Sequence, residues 1–489
     1  MVENEKTQFA NGMFSISTAQ KLTGSLSLDG EETTLHLWGD KIENIDALNG
    51  ATITGVLENQ KKASLIDCIV TGQKRFFGKN GVFHHYRLFP HYVVIGTRHR
   101  SSPEKTITKI SFVIDDAMAL FHDRYAFGTV DVPPDRVKDI ASMDLFEKVQ
   151  FEDNYPILAY WTGKMQIFSA DTTLGRISAC HQPSFDMGGP HGACISNRIV
   201  VFVEFSEAKS VRDTDVEIRK VLRFLHTILG RPQNLVELQI IDNGDPHPES
   251  SDLHLSMYPN YSRRSSIREP DFRDILVDAA TDREDFSHLL YGWLLKEETW
   301  RIARSRFASG WSGARNYDAD RIVGAANMFD LLPDNAVPST STLEGCLEDA
   351  VRQSTKLFKE LPTGEKRNSI LGYLGRVKKP SLKEKIRYRS QVISSRIGAS
   401  IPDIDEVTDA AVDLRNIFVH GSTSSAAKKD KLQESIGFLT DTLEFVFCAS
   451  DLVESGWKIE AWHEKQKGAG HPFADYLRSY SEDLARFRG

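Results

Sequence analysis

Three side chains late in the sequence have types and spacing suited to chemistry: Arg415, Asn416 and His420, with Gly421 directly after them. An imidazole titrates near neutrality and can take or give a proton. A guanidinium keeps its charge and presents a planar fork that fits phosphate oxygens. An amide orients its neighbours by hydrogen bonding. The plain alternative is structural. A histidine in a last helical turn is favoured by the helix dipole, and an asparagine one turn back can serve as a cap.

The element that positions them is a helix. Asp403 followed by Glu406, with Pro402 just before, has the form of a capping-box start. Ile404, Val407, Ala411, Leu414 and Phe418 then recur three and four apart, one apolar stripe. Gly421 fits a left-handed stop. On this wheel Asn416 and His420 lie one turn apart, on a face shared with Asp409 and Asp413 and turned away from the stripe. Arg415 lies at the stripe's edge, within reach of the same face.

A basic stretch precedes this helix. From Arg352 to Arg396 there are 13 Lys/Arg against three acids, a local balance of +10. Within it Lys378, Lys379, Lys383, Arg387 and Arg389 are the candidate RNA contacts, as a phosphate-binding surface beside the trio. The bland reading is a solvated helix face. The whole chain of 489 residues carries −8, which argues against a protein that coats nucleic acid over its entire surface. With 40% hydrophobic and 26% charged residues it reads as a globular protein of several domains. No apolar run approaches a membrane span, and Met1–Ala10 lacks a signal-peptide core, so a cytoplasmic location is the default expectation. Five scattered cysteines form no CxxC pair, which argues against a disulfide framework or a zinc–cysteine site.

The expected fold class is α+β. Residues 1–260 read as a β-rich, sandwich-like half, with a sandwich or an open barrel as its form. It has one helix near Asp213–Leu229. A linker is expected over 261–280, centred on the polar, proline-containing run Tyr258–Pro270. Residues 281–464 read as an all-α bundle, and 465–489 as a short amphipathic tail. The spacing predicts separate strands at Gly81–Phe89 and Tyr92–Gly96, and one long helix over Lys428–Trp462.

Other chemistries are weaker. His84, His85, His91 and His99 cluster in the β half, but adjacent strand histidines point to opposite faces, so ordinary strand positions are expected and no metal or cofactor is assigned. The glycine-rich run Gly188–Gly192 lacks a P-loop lysine and opens no helix, so it reads as a loop. Trp38, Phe83, Tyr86 and Trp161 are aromatics of the kind that stack on sugars, though such rings more often fill a core.

Arg415-Asn416 and His420 at the end of a late helix resemble the Arg-x(4–6)-His motif of HEPN ribonucleases. Leu22–Leu26, Ile53–Leu57, Ala63–Cys68 and Val93–His99 resemble the N-terminal domain of ApeA-type abortive-infection proteins. The resemblance covers nearly the whole chain. It implies a metal-independent endoribonuclease acting against bacteriophage, with transfer RNA a plausible substrate and a phage protein as trigger. It implies His420 as general acid or base, Arg415 offsetting phosphate charge, and Asn416 orienting either. It also implies a homodimer, in which the motif helices of two HEPN domains face each other. A non-catalytic RNA-binding scaffold, in which Arg415 and His420 brace a dimer, is the rival reading. A carbohydrate-binding protein with a helical oligomerisation domain is a third.

Overall fold

A computed structural model describes residues 8–17, 20–78, 81–133, 136–137, 139, 157–187, 190, 192–242, 250–259, 261, 270–312, 316–339, 345–421, 426–465, 468 and 470–489. Residues 262–269 of the expected linker, and Gly188, Gly189 and His191 of the glycine-rich run, lie outside these.

The first six strands are β1 (Gln8–Ser15), β2 (Lys21–Leu28), β3 (Thr34–Gly39), β4 (Ile53–Leu57), β5 (Lys62–Gly78) and β6 (Gly81–Gly96). They pair in the antiparallel order β6-β3-β2-β1-β4-β5, and β5 pairs back onto β6, so the six close into a barrel. The period-2 pattern of the sequence aims one face inward. Leu22 and Leu26 of β2, Leu35 and Leu37 of β3, and Tyr86 and Leu88 of β6 fill the interior with Phe14, Leu57 and Leu65. The Tyr86 hydroxyl accepts a bond from the Ile42 amide at 2.7 Å.

β6 is one strand, where the spacing predicted two. Pro90 lies inside it, and a proline has no N–H for a ladder. It is accommodated because β3 pairs with β6 only up to Leu88 and β14 (Ser251–Leu255) only from Tyr92, so Pro90 faces the gap. From there the sheet continues through β13 (Leu235–Asp242), β7 (Ile107–Ile114), β12 (Ala193–Lys209), β11 (Gly175–Met187) and β10 (Gln166–Thr172), giving twelve strands in all. β8 (Phe127–Asp131) and β9 (Ile157–Trp161) pair separately.

Helix α1 (Ala117–Leu120) is a single turn, and α2 (Val211–Leu229) covers the open sheet. The helical half comprises α3 (Arg283–Ser312), α4 (Ala319–Asn327), α5 (Gly345–Glu360), α6 (Glu365–Arg376), α7 (Leu382–Ile397), α8 (Ile404–His420), α9 (Ala426–Glu434), α10 (Ile436–Glu454), α11 (Ile459–Glu464) and α12 (Pro472–Arg488). The single helix expected over Lys428–Trp462 is therefore three. Ser435 leaves the helical region before α10, and Gly456, at φ 113°, turns the chain after it. The tail residues form α12, which buries Phe473, Tyr476, Tyr480, Leu484 and Phe487.

The two halves share one core. Phe121 and Phe168 of the β half and Phe224 of α2 meet Phe286 of α3, with ring centroids 6.2, 4.9 and 5.5 Å apart. Beside this seam runs a chain of charges, buried at Glu297, Arg304, Asp451 and Arg389. Arg223 of α2 donates through Nε to Glu297 of α3 at 2.9 Å. Glu297 also accepts from Arg304 at 2.7 Å, and Arg304 Nε donates to Asp451 of α10 at 2.7 Å. Lys296 joins Asp451 at 2.8 Å to Glu454 at 3.3 Å, and Glu454 meets Arg389 of α7 at 2.7 Å. Removing one member of such a set leaves a buried charge uncompensated, which costs about 3–5 kcal/mol. Asp451→Ala should therefore lower stability by about that amount. Thermal unfolding of the purified variant tests this, and an unchanged midpoint would contradict it.

Candidate functional site

The helix that carries the trio spans Ile404 to His420, the bounds the sequence predicts. Ile404, Val407, Ala411, Leu414 and Ile417 are buried, while Phe418 is half-buried. Gly421 takes the left-handed conformation at φ 60°, and its amide donates to the Ile417 carbonyl at 3.0 Å. The start differs from expectation. Asp403 is itself left-handed at φ 55° and makes no side-chain cap. Instead Asp403 receives Arg488 of α12 at 2.7 Å, and Glu406 pairs with the same guanidinium. The capping box is replaced by a tie to the last helix.

The trio is brought together. Arg415 Nη1 donates to Asn416 Oδ1 at 3.0 Å and faces His420 Nε2 at 3.4 Å. A guanidinium has no acceptor, so any hydrogen bond in this contact has Arg415 as its donor. Arg415 Nη2 donates to Asn327 Oδ1, the last residue of α4, at 3.0 Å. Its Nε is buried with no hydrogen-bond partner. Arg415 and Asn416 are half-buried, while His420 is exposed at the rim beside Val419. The site is thus a guanidinium held from behind by one amide, touching a second amide and an open imidazole.

Asn327 is the residue that sequence reasoning missed. The one available signal is a polar side chain in the otherwise apolar run Gly324–Phe329. Helical periodicity says nothing about a partner 88 residues away.

The basic stretch looks different in space. Lys383 pairs with Asp413 at 2.6 Å, and Arg387 pairs with Asp409. This antiparallel register puts the start of α7, with Lys378 and Lys379 just before it, at the His420 end of α8. Lys378 pairs with Glu348 at 2.6 Å, Lys385 with Asp330 at 2.8 Å, and Arg396 with Glu460 at 2.7 Å. These acids lie outside Arg352–Arg396, so the local excess is offset by neighbours the linear count omits. Lys378, Lys379 and Arg387 are exposed, and Lys383 is half-buried. Arg389 is a correction. It is wholly buried, donates to Ser450 Oγ at 2.9 Å and lies over the Trp300 ring at 5.1 Å. It braces α7 against α10 and cannot reach a phosphate.

The histidines of the β half have local partners. His91 Nδ1 meets the Asp67 carbonyl at 2.6 Å and His99 Nδ1 the Ala63 carbonyl at 3.2 Å. His84 is buried beside Tyr86, and His85 faces outward.

The model of the ApeA N-terminal domain 1 family matches residues 10–293, and that of the Apea-like HEPN family matches residues 323–461. The chain belongs to the ApeA family. It is an ApeA-type anti-phage protein with a C-terminal HEPN domain. HEPN domains are generally ribonucleases, and they typically dimerise and bind RNA. The HEPN match takes in Asn327, α7, α8 and α10, and the N-terminal match runs into α3. No curated protein and no solved structure matches this ApeA-type chain. Among its described residues no helix is long and apolar enough to cross a membrane.

The stop at Gly421 has a measurable role in this site. A Cβ there would touch nothing within 4 Å among the described residues, so the left-handed backbone is what resists substitution. Gly421→Ala should cost about 1–2 kcal/mol, and Gly421→Asn, which tolerates that conformation, clearly less. Paired thermal unfolding curves check the order of the two variants. Equal stability would remove the conformational argument.

Proposed function

We propose that this protein is a metal-independent endoribonuclease whose cutting site is Arg415, Asn416 and His420. The observation that carries this reading is the single guanidinium that touches both Asn416 and His420 at an exposed helix end. In the proposed reaction the ribose 2′-hydroxyl attacks the adjacent phosphorus. One His420 removes its proton, and the bond to the 5′-oxygen breaks. A second His420, from another copy, protonates that oxygen. The products are a 2′,3′-cyclic phosphate and a 5′-hydroxyl. Arg415 offsets charge on the phosphate oxygens, and Asn416 holds the imidazole or the phosphate in line. DNA lacks the nucleophile and is not cut.

A second copy is supported by apolar surface left open. Val419 adjoins His420, and Leu357 and Tyr373 are exposed on α5 and α6, which bury no residue of their own. The surface ion pairs of Lys378, Lys383 and Arg387 support RNA approach. Exposed pairs of this kind are worth only about 0–1 kcal/mol, so a phosphate can displace their carboxylates. The bond from Arg415 to Asn327 favours the scaffold reading instead, because it is what a brace would make. That reading expects Arg415→Ala to weaken dimerisation with no RNA cut by any variant.

RNA cleavage in EDTA separates the two. Wild type should cut, and His420→Ala should be slower by about 10²–10⁴-fold. Full activity in the variant would place the chemistry elsewhere. We further propose that transfer RNA is the substrate and that the β half restrains the nuclease until a phage protein binds. Sequencing RNA ends after induced expression of wild type and His420→Ala should reveal His420-dependent ends within transfer RNA. Ends confined to other RNAs would refute that substrate. Exchanging residues 1–265 for those of a relative should change the range of phages resisted, and an unchanged range would count against sensing.

A further inference from the structure

The outer wall of the barrel carries rings that belong to neither core. Residues directly opposite on paired strands share a face. Trp38 of β3 lies opposite His85 of β6, and His36 lies opposite Arg87. On the other side of β6, Lys74 lies opposite His85 and Phe76 opposite Phe83. Their neighbours Leu35, Leu37, Tyr86 and Leu88 fill the interior, so these side chains form the exterior.

The geometry of the rings is that of a platform. His36 Nδ1 and His85 Nε2 are 2.9 Å apart, with ring centroids 5.1 Å apart and planes 7° from parallel. A short N···N distance with wide centroids means two imidazoles joined edge to edge in nearly one plane. The Trp38 ring stacks beside them, tilted 21° from His36 and 19° from His85 with centroids 5.8 and 5.3 Å away. Phe76 and Phe83 continue the surface at 52% and 53% exposure.

Charge selects the ligand. Residues 21–28, 34–39, 69–78 and 81–89 contain no Asp or Glu, yet carry Lys21, Lys74, Arg75 and Arg87, in a chain of net −8. Lys74 and Arg87 are exposed, and among the described residues Arg87 donates only to Thr71. Burial first, then Arg87, holds the His36 imidazole below its ordinary value. Burial, His36, Lys74 and Arg87 do the same for His85. No carboxylate is among the causes of either shift. A sugar-binding face would need carboxylates or amides beside its rings, whereas flat rings interleaved with unpaired cations fit bases and phosphates.

We propose that this wall binds single-stranded nucleic acid, with bases stacked on the His36–His85–Trp38 platform and phosphates against Lys74 and Arg87. The site is separate from Arg415 and does not depend on cleavage there.

Fluorescence anisotropy of the full chain with short labelled oligothymidylate and oligouridylate tests it. Binding should weaken linearly in log–log form as salt rises. Trp38→Ala, and separately Lys74→Glu with Arg87→Glu, should weaken binding about tenfold or more. Oligothymidylate lacks the 2′-hydroxyl and is not cut, so its binding reads this wall independently of cleavage at the helical site. Tighter binding of one oligomer would assign RNA or DNA as the ligand. The proposal is overturned if neither oligomer binds, which would leave the exposed phenylalanines to a protein partner. It is equally overturned if the wall variants, folded by their thermal unfolding midpoints, bind as wild type does.

Discussion

A run of alternating charges, buried at Glu297, Arg304, Asp451 and Arg389, fixes the helices of this protein relative to one another. It passes from Arg223 through Glu297, Arg304, Asp451, Lys296 and Glu454 to Arg389. Each member neutralises the next, and the buried ones, Glu297, Arg304, Asp451 and Arg389, are not tolerable alone in a low-dielectric interior. Apolar packing would permit α3 to slide against α10 by small steps. Bidentate contacts such as that of Arg304 with Asp451 do not, because both oxygens must stay in reach of the fork. The run begins on α2, which packs on the sheet, and ends on α7, beside the helix that carries the trio.

The candidate site takes its rigidity from this arrangement. Arg389 pins α7 to α10, and α8 lies antiparallel against α7 through Lys383–Asp413 and Arg387–Asp409. Asn327 then holds Arg415 from α4. His420 alone of the trio stands clear, one residue before the chain leaves the helix. Arg389 is buried, Asn327 and Arg415 are half-buried, and the reacting group is open, as a preorganised site requires.

How much of this was legible in the sequence follows from the range of each interaction. Helix α8 was readable to both ends because apolar spacing and a terminal glycine are local signals. The nearness of Asn416 and His420 followed from the same wheel. The closed barrel could not be read, because closure depends on β5 meeting β6 along both lengths, a matter of register and not of composition. Arg389 was misplaced for a related reason: a cationic side chain reads as surface unless its distant partners, here Ser450 and Glu454, are known. Asp403 and Glu406 carried a valid local signal that Arg488, 85 residues on from Asp403, overrode. Asn327 was hidden because its only role is toward a different helix.

The aromatic seam between the halves restricts the kind of motion by which one can inform the other. Phe286 is enclosed by rings from β10, α2 and the segment after α1, so no cleft opens there as a hinge would. Packed interfaces of this sort move by shear, small slides in which side chains change partners while the core stays closed. Were α2 to move, Glu297 of α3, held by Arg223, would be the first charge of the run to follow, with no domain swinging open.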